Sequence, residues 1–345
     1  MPCRQTQNPH PPNWLPVELI EKILTEAWAL PLAPSERMSL FNSLSLVNHL
    51  WLRMFMRVAL IDVYIDSVTA ADWYIYLLRE RSSGESDNDY FLDNASAMAN
   101  RLCQSITFHV GGGPFGLKPS NTEDRAGPKP GVTLYSHTSH SGDAISMLLY
   151  MIDNLNYTPN LRRVVLEYFD WGFDDVFDQC RLVPLLIQVT HLELRYQFSD
   201  NLSRVADSVR RRYHRETSPE GSMSPWTTPN VRTLSISGAP ISFVSALVGT
   251  CPNLERLELL DQFELDGLRT TLPKLEAVIL RYRDTWKLDA ELREEIEDVF
   301  QAGLFSHPFP PSKPRLIIHS RSEPSGVDKL CAKFGVDFIF LPNYS

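Results

Sequence analysis

The stretch CPNLERLELL, residues Cys251 to Leu260, decides the fold of most of this chain. Its apolar side chains Leu254, Leu257 and Leu259 follow the spacing L-x-x-L-x-L. The last two are two positions apart and point to the same face of a strand, while the residue between them points to the other face. The stretch therefore predicts a short strand with one buried face.

The same template recurs along the chain. Its first positions are residues 161, 189, 231, 254 and 275, which gives intervals of 28, 42, 23 and 21 residues. Three of these intervals lie in the range of about 20 to 29 residues that is typical of leucine-rich repeats. Helices between the copies, at 174–187, 241–249 and 290–302, are expected to cover parallel strands. The copies are Leu161-x-x-Val164-x-Leu166, Val189-x-x-Leu192-x-Leu194, Val231-x-x-Leu234-x-Ile236, Leu254-x-x-Leu257-x-Leu259 and Leu275-x-x-Val278-x-Leu280, with Cys103-x-x-Ile106-x-Phe108 as a degenerate earlier copy.

The copies depart from a regular leucine-rich repeat at one position. The Asn or Cys expected three residues after the last apolar residue is replaced by Phe169, Gln197, Ala239, Gln262 and Arg283. In a regular repeat, the Asn residues at this position form a continuous row along the array. Because that row is absent, the sequence predicts an irregular repeat-like α/β solenoid of short parallel strands and helices. An ordinary doubly wound α/β domain is the alternative that the pattern leaves open.

Further elements are predicted on both sides of this array. Two loop insertions, at 111–142 and 199–229, are rich in Gly, Pro, Ser and Thr. The closing strand–helix–strand pattern is typical of a capping unit. The predicted elements are strands at 62–65, 106–110, 315–319 and 336–340 and helices at 70–79, 91–101, 143–155 and 325–334.

The N-terminal stretch from Trp14 to Trp28 has a different period. Its apolar residues 15, 19, 20, 23, 24, 27 and 28 recur with the period of an α-helix. A second helical run is predicted from Leu44 to Leu60 and can cover part of the apolar stripe. Since about 50 helical residues bury little core, a partner is expected on the part that stays open.

The residues Trp14-Leu15-Pro16-x-Glu18-Leu19-Ile20-x-x-Ile23-Leu24, followed by Leu46-Val47-Asn48-x-x-Trp51, resemble an F-box of the type found in mushroom-forming fungi. The array resembles the leucine-rich-repeat tail that many F-box proteins carry. The resemblance implies a substrate-recognition adaptor of a ubiquitin ligase, which docks a Skp-type adaptor protein and through it a cullin. The residues implied in adaptor binding are Trp14, Leu15, Pro16, Leu19, Ile20, Ile23, Leu24, Val47 and Trp51.

The predicted division of the chain is a flexible leader at 1–13, a helical F-box-like domain at 14–60 and the repeat-like α/β domain at 61–345. The outward strand positions of the array are expected to bind a target protein. The alternative is a non-catalytic interaction scaffold whose N-terminal helices only cap the array. The candidate target-binding residues are Arg163, Val165, His191, Glu193, Arg195, Thr233, Ser235, Arg256, Glu258 and Arg281, and Tyr168, Tyr196 and Tyr282 are expected to form an aromatic row at one strand edge.

Composition excludes several classes of function. The formal net charge of −9 argues against a general nucleic-acid binder, although the basic run from Arg210 to Arg215 could bind an acidic partner or serve in nuclear import. No run approaches the 18 or more apolar residues of a membrane span. The five cysteines contain no CxxC pair, which fits reduced thiols in the cytoplasm or nucleus.

Motifs for catalysis are missing from the sequence. It contains no Gly-x-Ser-x-Gly elbow and no Walker loop. His137-x-x-His140 has the spacing of half a metal site, but no further ligands stand beside it. We therefore predict no enzyme activity, no cofactor and no metal.

Overall fold

The computed structural model of the chain describes residues 15–30, 32–79, 90–111, 148–169, 187–197, 227–239, 241–260, 265, 268, 272–281, 289–305 and 313–342. The chain divides into two compact units, Met1–Asp62 and Val63–Ser345. The first unit is helical, and the second contains a large sheet with helices. The predicted leader and the insertions at 111–142 and 199–229 lie outside the described residues, apart from residues 111 and 227–229.

The first unit packs its helices around Trp28 and Phe55. Their rings meet edge to face with centroids 5.2 Å apart, and the indole Nε1 of Trp28 donates a hydrogen bond to the carbonyl oxygen of Asp62 at 2.9 Å. The guanidinium group of Arg37 lies 4.9 Å from the Trp28 ring centroid and donates to the Trp28 carbonyl oxygen. The helices are α1 (Val17–Ala29), α2 (Pro34–Ser45) and α3 (His49–Ile61), and both α1 and α2 pack on α3.

The predicted helix from Leu44 to Leu60 is divided between α2 and α3. The break falls at Leu46 to Asn48, because the Asn48 backbone is extended and its side chain caps α3 by accepting a hydrogen bond from the Trp51 N–H at 3.0 Å. The apolar period continues across this break, so periodicity alone did not reveal it.

The second unit is built on one sheet whose strands follow chain order. The described strands form a nine-stranded sheet, and neighbouring strands from β2 to β9 run parallel. A doubly wound sheet reverses its strand order at one point, and this order contains no reversal among the described strands. The predicted α/β class is confirmed. The strands are β1 (Asp62–Ile65), β2 (Ser105–Gly111), β3 (Arg163–Phe169), β4 (His191–Gln197), β5 (Thr233–Ser237), β6 (Arg256–Leu260), β7 (Ala277–Arg281), β8 (Arg315–Ser320) and β9 (Asp337–Pro342).

The strands pair in register, so the two apolar positions of the template form two continuous rows. From β2 to β8, each member of both rows is at most 3% exposed. The first row is Ile106, Val164, Leu192, Leu234, Leu257, Val278 and Leu316, and the second is Phe108, Leu166, Leu194, Ile236, Leu259, Leu280 and Ile318. Burial of these rows supplies the core of the sheet.

A repeated turn leads into the strands. Leu254 N–H donates to the Cys251 carbonyl oxygen at 3.1 Å. The N–H groups of Leu161, Val231 and Leu275 likewise donate to the carbonyl oxygen three residues earlier. The Asn253 side chain donates to the Pro229 carbonyl oxygen at 2.8 Å and so joins one turn to the previous one. The Pro-Asn pair before the template therefore makes contacts between neighbouring copies.

The described helices of the second unit bury one side each. Val244, Leu247 and Val248 are buried in one of them at helical spacing. None of the helices in the described ranges combines the length and hydropathy needed to cross a membrane. The helices are α4 (Val68–Leu78), α5 (Tyr90–Leu102), a stretch at 148–154, α6 (Ile241–Gly249), α7 (Asp289–Gln301) and α8 (Val327–Lys333), and residues 174–186 of a predicted helix lie outside the described residues.

Gly238 ends β5 where only glycine fits. Its φ is +69°, and a Cβ built there would lie 2.0 Å from the carbonyl oxygen of Tyr196 in the neighbouring strand. A left-handed backbone and a close approach to another main chain both favour glycine. A Cβ built on Gly249, at the end of α6, would have no neighbouring atom within 4 Å.

We predict that Gly238→Ala lowers the free energy of unfolding by about 3 kcal/mol, because it combines a strained φ with a backbone clash. Gly249→Ala is the matched control and should be neutral or stabilising by up to about 1 kcal/mol, since alanine is the better helix former. Urea denaturation followed by circular dichroism measures both. Equal stabilities of the two variants would contradict the account of the β5 turn.

Candidate functional site

The strand positions between and beside the apolar rows form a second face of the sheet, here called the polar face. Three lines of residues run across it in register, at the first, third and fifth positions of each strand. Charged side chains concentrate in these lines. They include Arg163, His191 and Arg256 in the first line, Glu193 and Glu258 in the third, and His109, Glu167, Arg195, Arg281 and His319 in the fifth.

Glu193 is the centre of one ion cluster. Arg163 of β3 binds its Oε2 at 2.5 Å, and Arg195 of its own strand binds its Oε1 at 2.5 Å. Arg195 also reaches Glu167, with 2.6 Å between Nη1 and Oε1. Two carboxylates and two guanidinium groups therefore balance each other in this cluster.

Glu167 shows how the first cluster holds its charge. Burial alone would raise the pKa of this carboxyl, but a hydrogen bond with His109 and the charge of Arg195 outweigh burial and hold the pKa below its ordinary value. The Tyr64 hydroxyl also lies 3.5 Å from Glu167 Oε2. Glu167 is therefore ionised at neutral pH.

Glu258 is the centre of a second ion cluster. Arg256 of the same strand binds its Oε1 at 2.6 Å, and Ser235 of β5 donates to its Oε2 at 3.0 Å. Arg281 of β7 stands 3.9 Å from the same Oε2, which is longer than a hydrogen bond. Burial acts to raise the pKa of Glu258, but Arg256, Ser235 and Arg281 together lower it below the ordinary value.

The two charge signs lie at different depths. The Arg256 and Arg281 side chains are each 48% exposed, whereas the Glu258 side chain between them is 14% exposed. The first cluster is similar, with Glu193 nearly covered and its arginines about half exposed. In both clusters the guanidinium groups are therefore exposed to solvent, and the carboxylates lie beneath them.

The structure separates the predicted target-binding residues into three groups. Arg163, His191, Arg195, Thr233, Arg256 and Arg281 are at least partly exposed on the polar face. Glu193, Ser235 and Glu258 lie deeper and act by binding other side chains. Val165 also occupies the third line but is 1% exposed, so a partner cannot reach it.

The two described members of the predicted aromatic row, Tyr168 and Tyr196, pack inside the protein. The rings of Tyr168 and Tyr196 stack with centroids 5.1 Å apart, and both side chains are buried. Tyr282 lies outside the described residues. Stacking between adjacent strands explains the pair, and it offers a partner no surface.

Sequence reasoning missed several members of the polar face. Glu167 occupies the same fifth position as Arg195 and Arg281, so the template itself held the signal that could have found it. His319 and Arg315 lie on β8, beyond the five copies, and only the register of the sheet places them beside Arg281 and Ala277.

A second candidate surface lies on α1 and the two residues before it. Leu15, Leu19 and Ile23 recur every four residues and are about half exposed, at 51%, 48% and 49%. We call these three residues the open apolar row. Ile20, Leu24 and Trp28 form the adjacent row, which is buried. Only part of the apolar side of α1 is thus covered within this structure.

The remaining residues implied in adaptor binding fall in different places. Val47 is 52% exposed beside the α3 cap, Trp51 is half-buried and Pro16 is exposed. Ile20 and Leu24 are at most 2% exposed, which removes them from any surface that a partner can touch without rearrangement. Trp14 lies outside the described residues.

The described ranges contain no group of three or more His, Cys, Asp or Glu residues that could hold a metal ion. Burial, with a smaller effect of Asp328, raises the pKa of the Cys331 thiol to about 12, and burial also raises the pKa of Cys251. These thiols are protonated at neutral pH and are not activated nucleophiles. His137, His140 and the basic run at 210–215 lie outside the described residues.

No protein-family model matches this chain, and no curated protein matches it either.

We predict that Glu258→Gln destabilises the protein by about 1 kcal/mol at pH 7, because it removes charge-assisted hydrogen bonds from a largely buried carboxylate. The folded pKa of Glu258 lies below its ordinary value, so the carboxylate stabilises the fold above that ordinary value and stops doing so as the pH falls through the folded pKa. The stability difference between variant and natural protein should therefore shrink as the pH falls below 4.5 and through the folded pKa.

Denaturant titrations at a series of pH values measure this difference. Glu297→Gln is the control, since Glu297 pairs with Lys333 at 2.6 Å in a solvent-exposed setting where water screens the charges. A pH-independent effect at Glu258 would show that its charge does not contribute to the stability of the sheet.

Proposed function

We propose that the protein is the substrate-recognition adaptor of a Skp/cullin/F-box-type ubiquitin ligase. Its helical unit binds a Skp-type adaptor protein, and its repeat-like unit binds a target protein through the polar face. It works in the cytoplasm or nucleus and is not itself catalytic. The observation that carries the proposal is the open apolar row, because Leu15, Leu19 and Ile23 are half-exposed in a small helical unit.

The open apolar row is suited to a protein interface. Complete burial of a leucine or isoleucine side chain contributes about 1.5–3 kcal/mol, so half-exposed side chains retain about half of that for a partner. Leu46 and Val47 add apolar surface next to the α3 cap and are 84% and 52% exposed. Exposed apolar side chains in such numbers are typical of binding sites.

The proposed target-binding unit is an irregular leucine-rich-repeat-like solenoid. Strict chain order of parallel strands, the same turn before successive strands and pairing in register all support this architecture. Such arrays bind partners over an extended face. The accessible arginines of the polar face are the residues that support target binding here.

We predict that Leu19→Asp reduces the amount of Skp-type adaptor that co-purifies with the full chain by about tenfold or more, because a carboxylate would be buried in an apolar interface. Leu19 is 48% exposed, so the variant should remain folded. Ile23→Asp, at 49% exposure, should have the same effect. Co-expression followed by affinity purification and quantification of the adaptor measures it.

Thr25→Asp is the matched control. Thr25 is exposed on the same helix but points away from the open apolar row, so this change adds the same charge and should leave adaptor binding intact. If the natural chain retains no adaptor, or if Leu19→Asp retains as much as Thr25→Asp, the ligase proposal is wrong. The remaining explanation would be a scaffold whose N-terminal helices only cap the array.

A further inference from the structure

The second ion cluster of the polar face differs from the first in its charge balance. Around Glu193 and Glu167, two carboxylates meet the guanidinium groups of Arg163 and Arg195. Around Glu258, one carboxylate meets the two guanidinium groups of Arg256 and Arg281. Counted over the described residues, the first cluster has equal numbers of carboxylates and guanidinium groups, and the second has one more guanidinium group than carboxylates.

The excess of arginine over carboxylate side chains extends along the sheet toward β8. Arg315 is exposed and stands in the same line as Arg256, two strands further on, because both pair in register with Ala277. Asp337, the next residue in this line, forms an ion pair with Lys313 at 3.8 Å and so leaves the balance unchanged. Among the residues that the structure describes, three guanidinium groups therefore accompany one carboxylate between β6 and β8, although the whole chain has a net charge of −9.

The donors of these arginines are only partly used. Arg256 directs Nε and Nη2 to Glu258 Oε1, at 2.8 and 2.6 Å. Arg281 approaches Glu258 only to 3.9 Å, which is beyond hydrogen-bond distance. A guanidinium group has five N–H donors in a planar fork that matches a carboxylate. Both arginines thus keep donors that an incoming carboxylate can occupy.

We propose that the polar face between β6 and β8 binds an acidic, carboxylate-rich segment of the target protein. This inference rests on the proposed function of the face in target binding and specifies the chemistry of the ligand. The ligand is anionic because the excess charge is positive. It is rich in carboxylates because the guanidinium groups are spread over three strands and Arg256 already binds a carboxylate here.

The spacing of the strands suits an extended segment. Neighbouring strands lie about 4.8 Å apart, so β6 to β8 spans about 10 Å, which an extended peptide covers with about three residues. A dianionic phosphate needs its arginines to converge on one point, and Arg315 stands two strands from Arg256. The distribution of charge therefore favours several single carboxylates over one phosphate.

Two histidines border the cluster and provide an independent readout. Burial lowers the pKa of His319, as do the charges of Arg281 and Arg256, while Glu258 acts in the opposite direction. Burial also lowers the pKa of His191, together with the charges of Arg163 and Arg256, and Glu258 again opposes them. An anion bound beside these histidines would raise both pKa values, so protonation would favour binding as the pH falls.

We predict that the full chain binds a fluorescein-labelled peptide of about eight alternating Asp and Glu residues, long enough to cross β3 to β8, in a salt-sensitive manner. Fluorescence anisotropy measures the dissociation constant. Arg256→Gln combined with Arg281→Gln should weaken binding about tenfold. The matched control is Arg53→Gln combined with Arg101→Gln, two exposed arginines that are not on the polar face, which should change it by less than about twofold.

Glu258→Gln provides a test with the opposite sign. It removes the carboxylate that competes for Arg256 and Arg281, so peptide binding should become about three- to tenfold tighter even though the fold is weakened. A residue with a purely structural role would not increase affinity when replaced. Unchanged or weaker binding by this variant would overturn the proposal.

The ligand class and its pH dependence complete the test. As the pH falls below the ordinary histidine value of 6.5, affinity for the acidic peptide should rise as the histidines take up protons, whereas a phosphopeptide loses charge near its second pKa of about 6. Tighter binding of a phosphoserine peptide or of an oligothymidine of equal length would overturn the carboxylate assignment. Because these measurements need no Skp-type adaptor, their failure is distinguishable from failure of the adaptor co-purification.

Discussion

The structure of the second unit depends on burying two parallel rows of apolar side chains on one face of its sheet. Each strand contributes one residue to each row, and the in-register pairing keeps the rows continuous from β2 to β8. Since side chains alternate along a strand, this burial forces the residues between the rows onto the other face. The polar face is therefore a consequence of the core, and its lines of residues follow the register of the core.

The geometry of the polar face explains how it tolerates buried carboxylates. Glu193 and Glu258 both lie in the third line, and each takes one arginine from the first line and one from the fifth. Long arginine side chains reach across two positions and cover the shorter glutamates. A carboxylate so paired is stable with little exposure, whereas an unpaired one would be costly. The exposed groups of these two clusters are therefore basic, in a chain that is acidic overall.

Much of this arrangement could be predicted from the sequence, because strand positions and face alternation are local properties. The L-x-x-L-x-L template located β3 to β7 and assigned Arg163, Arg195 and Arg256 to one face. The ion clusters could not be derived in this way, since they depend on which residues of different strands stand side by side. Val165 illustrates the limit: alternation places it with Glu193, but burial at this position depends on neighbouring side chains.

The first unit shows a similar division between local and nonlocal information. Helical periodicity predicted α1 and its apolar stripe, but it could not tell the buried Ile20 from the exposed Leu19, because the packing of α3 decides between them. The α2–α3 break was missed for another reason. The apolar period continues across the break, but the Asn48 side chain caps the start of a new helix through one hydrogen bond.

The order of strands in the sheet bears on how the protein is made. Each strand from β3 to β7 pairs with the strand that follows it in the chain, and successive copies of the template start 21 to 42 residues apart. Ribosomes add about 5–20 residues per second. A newly emerged strand therefore meets a partner that left the exit tunnel only seconds earlier, and the sheet can grow by addition at one edge while synthesis continues.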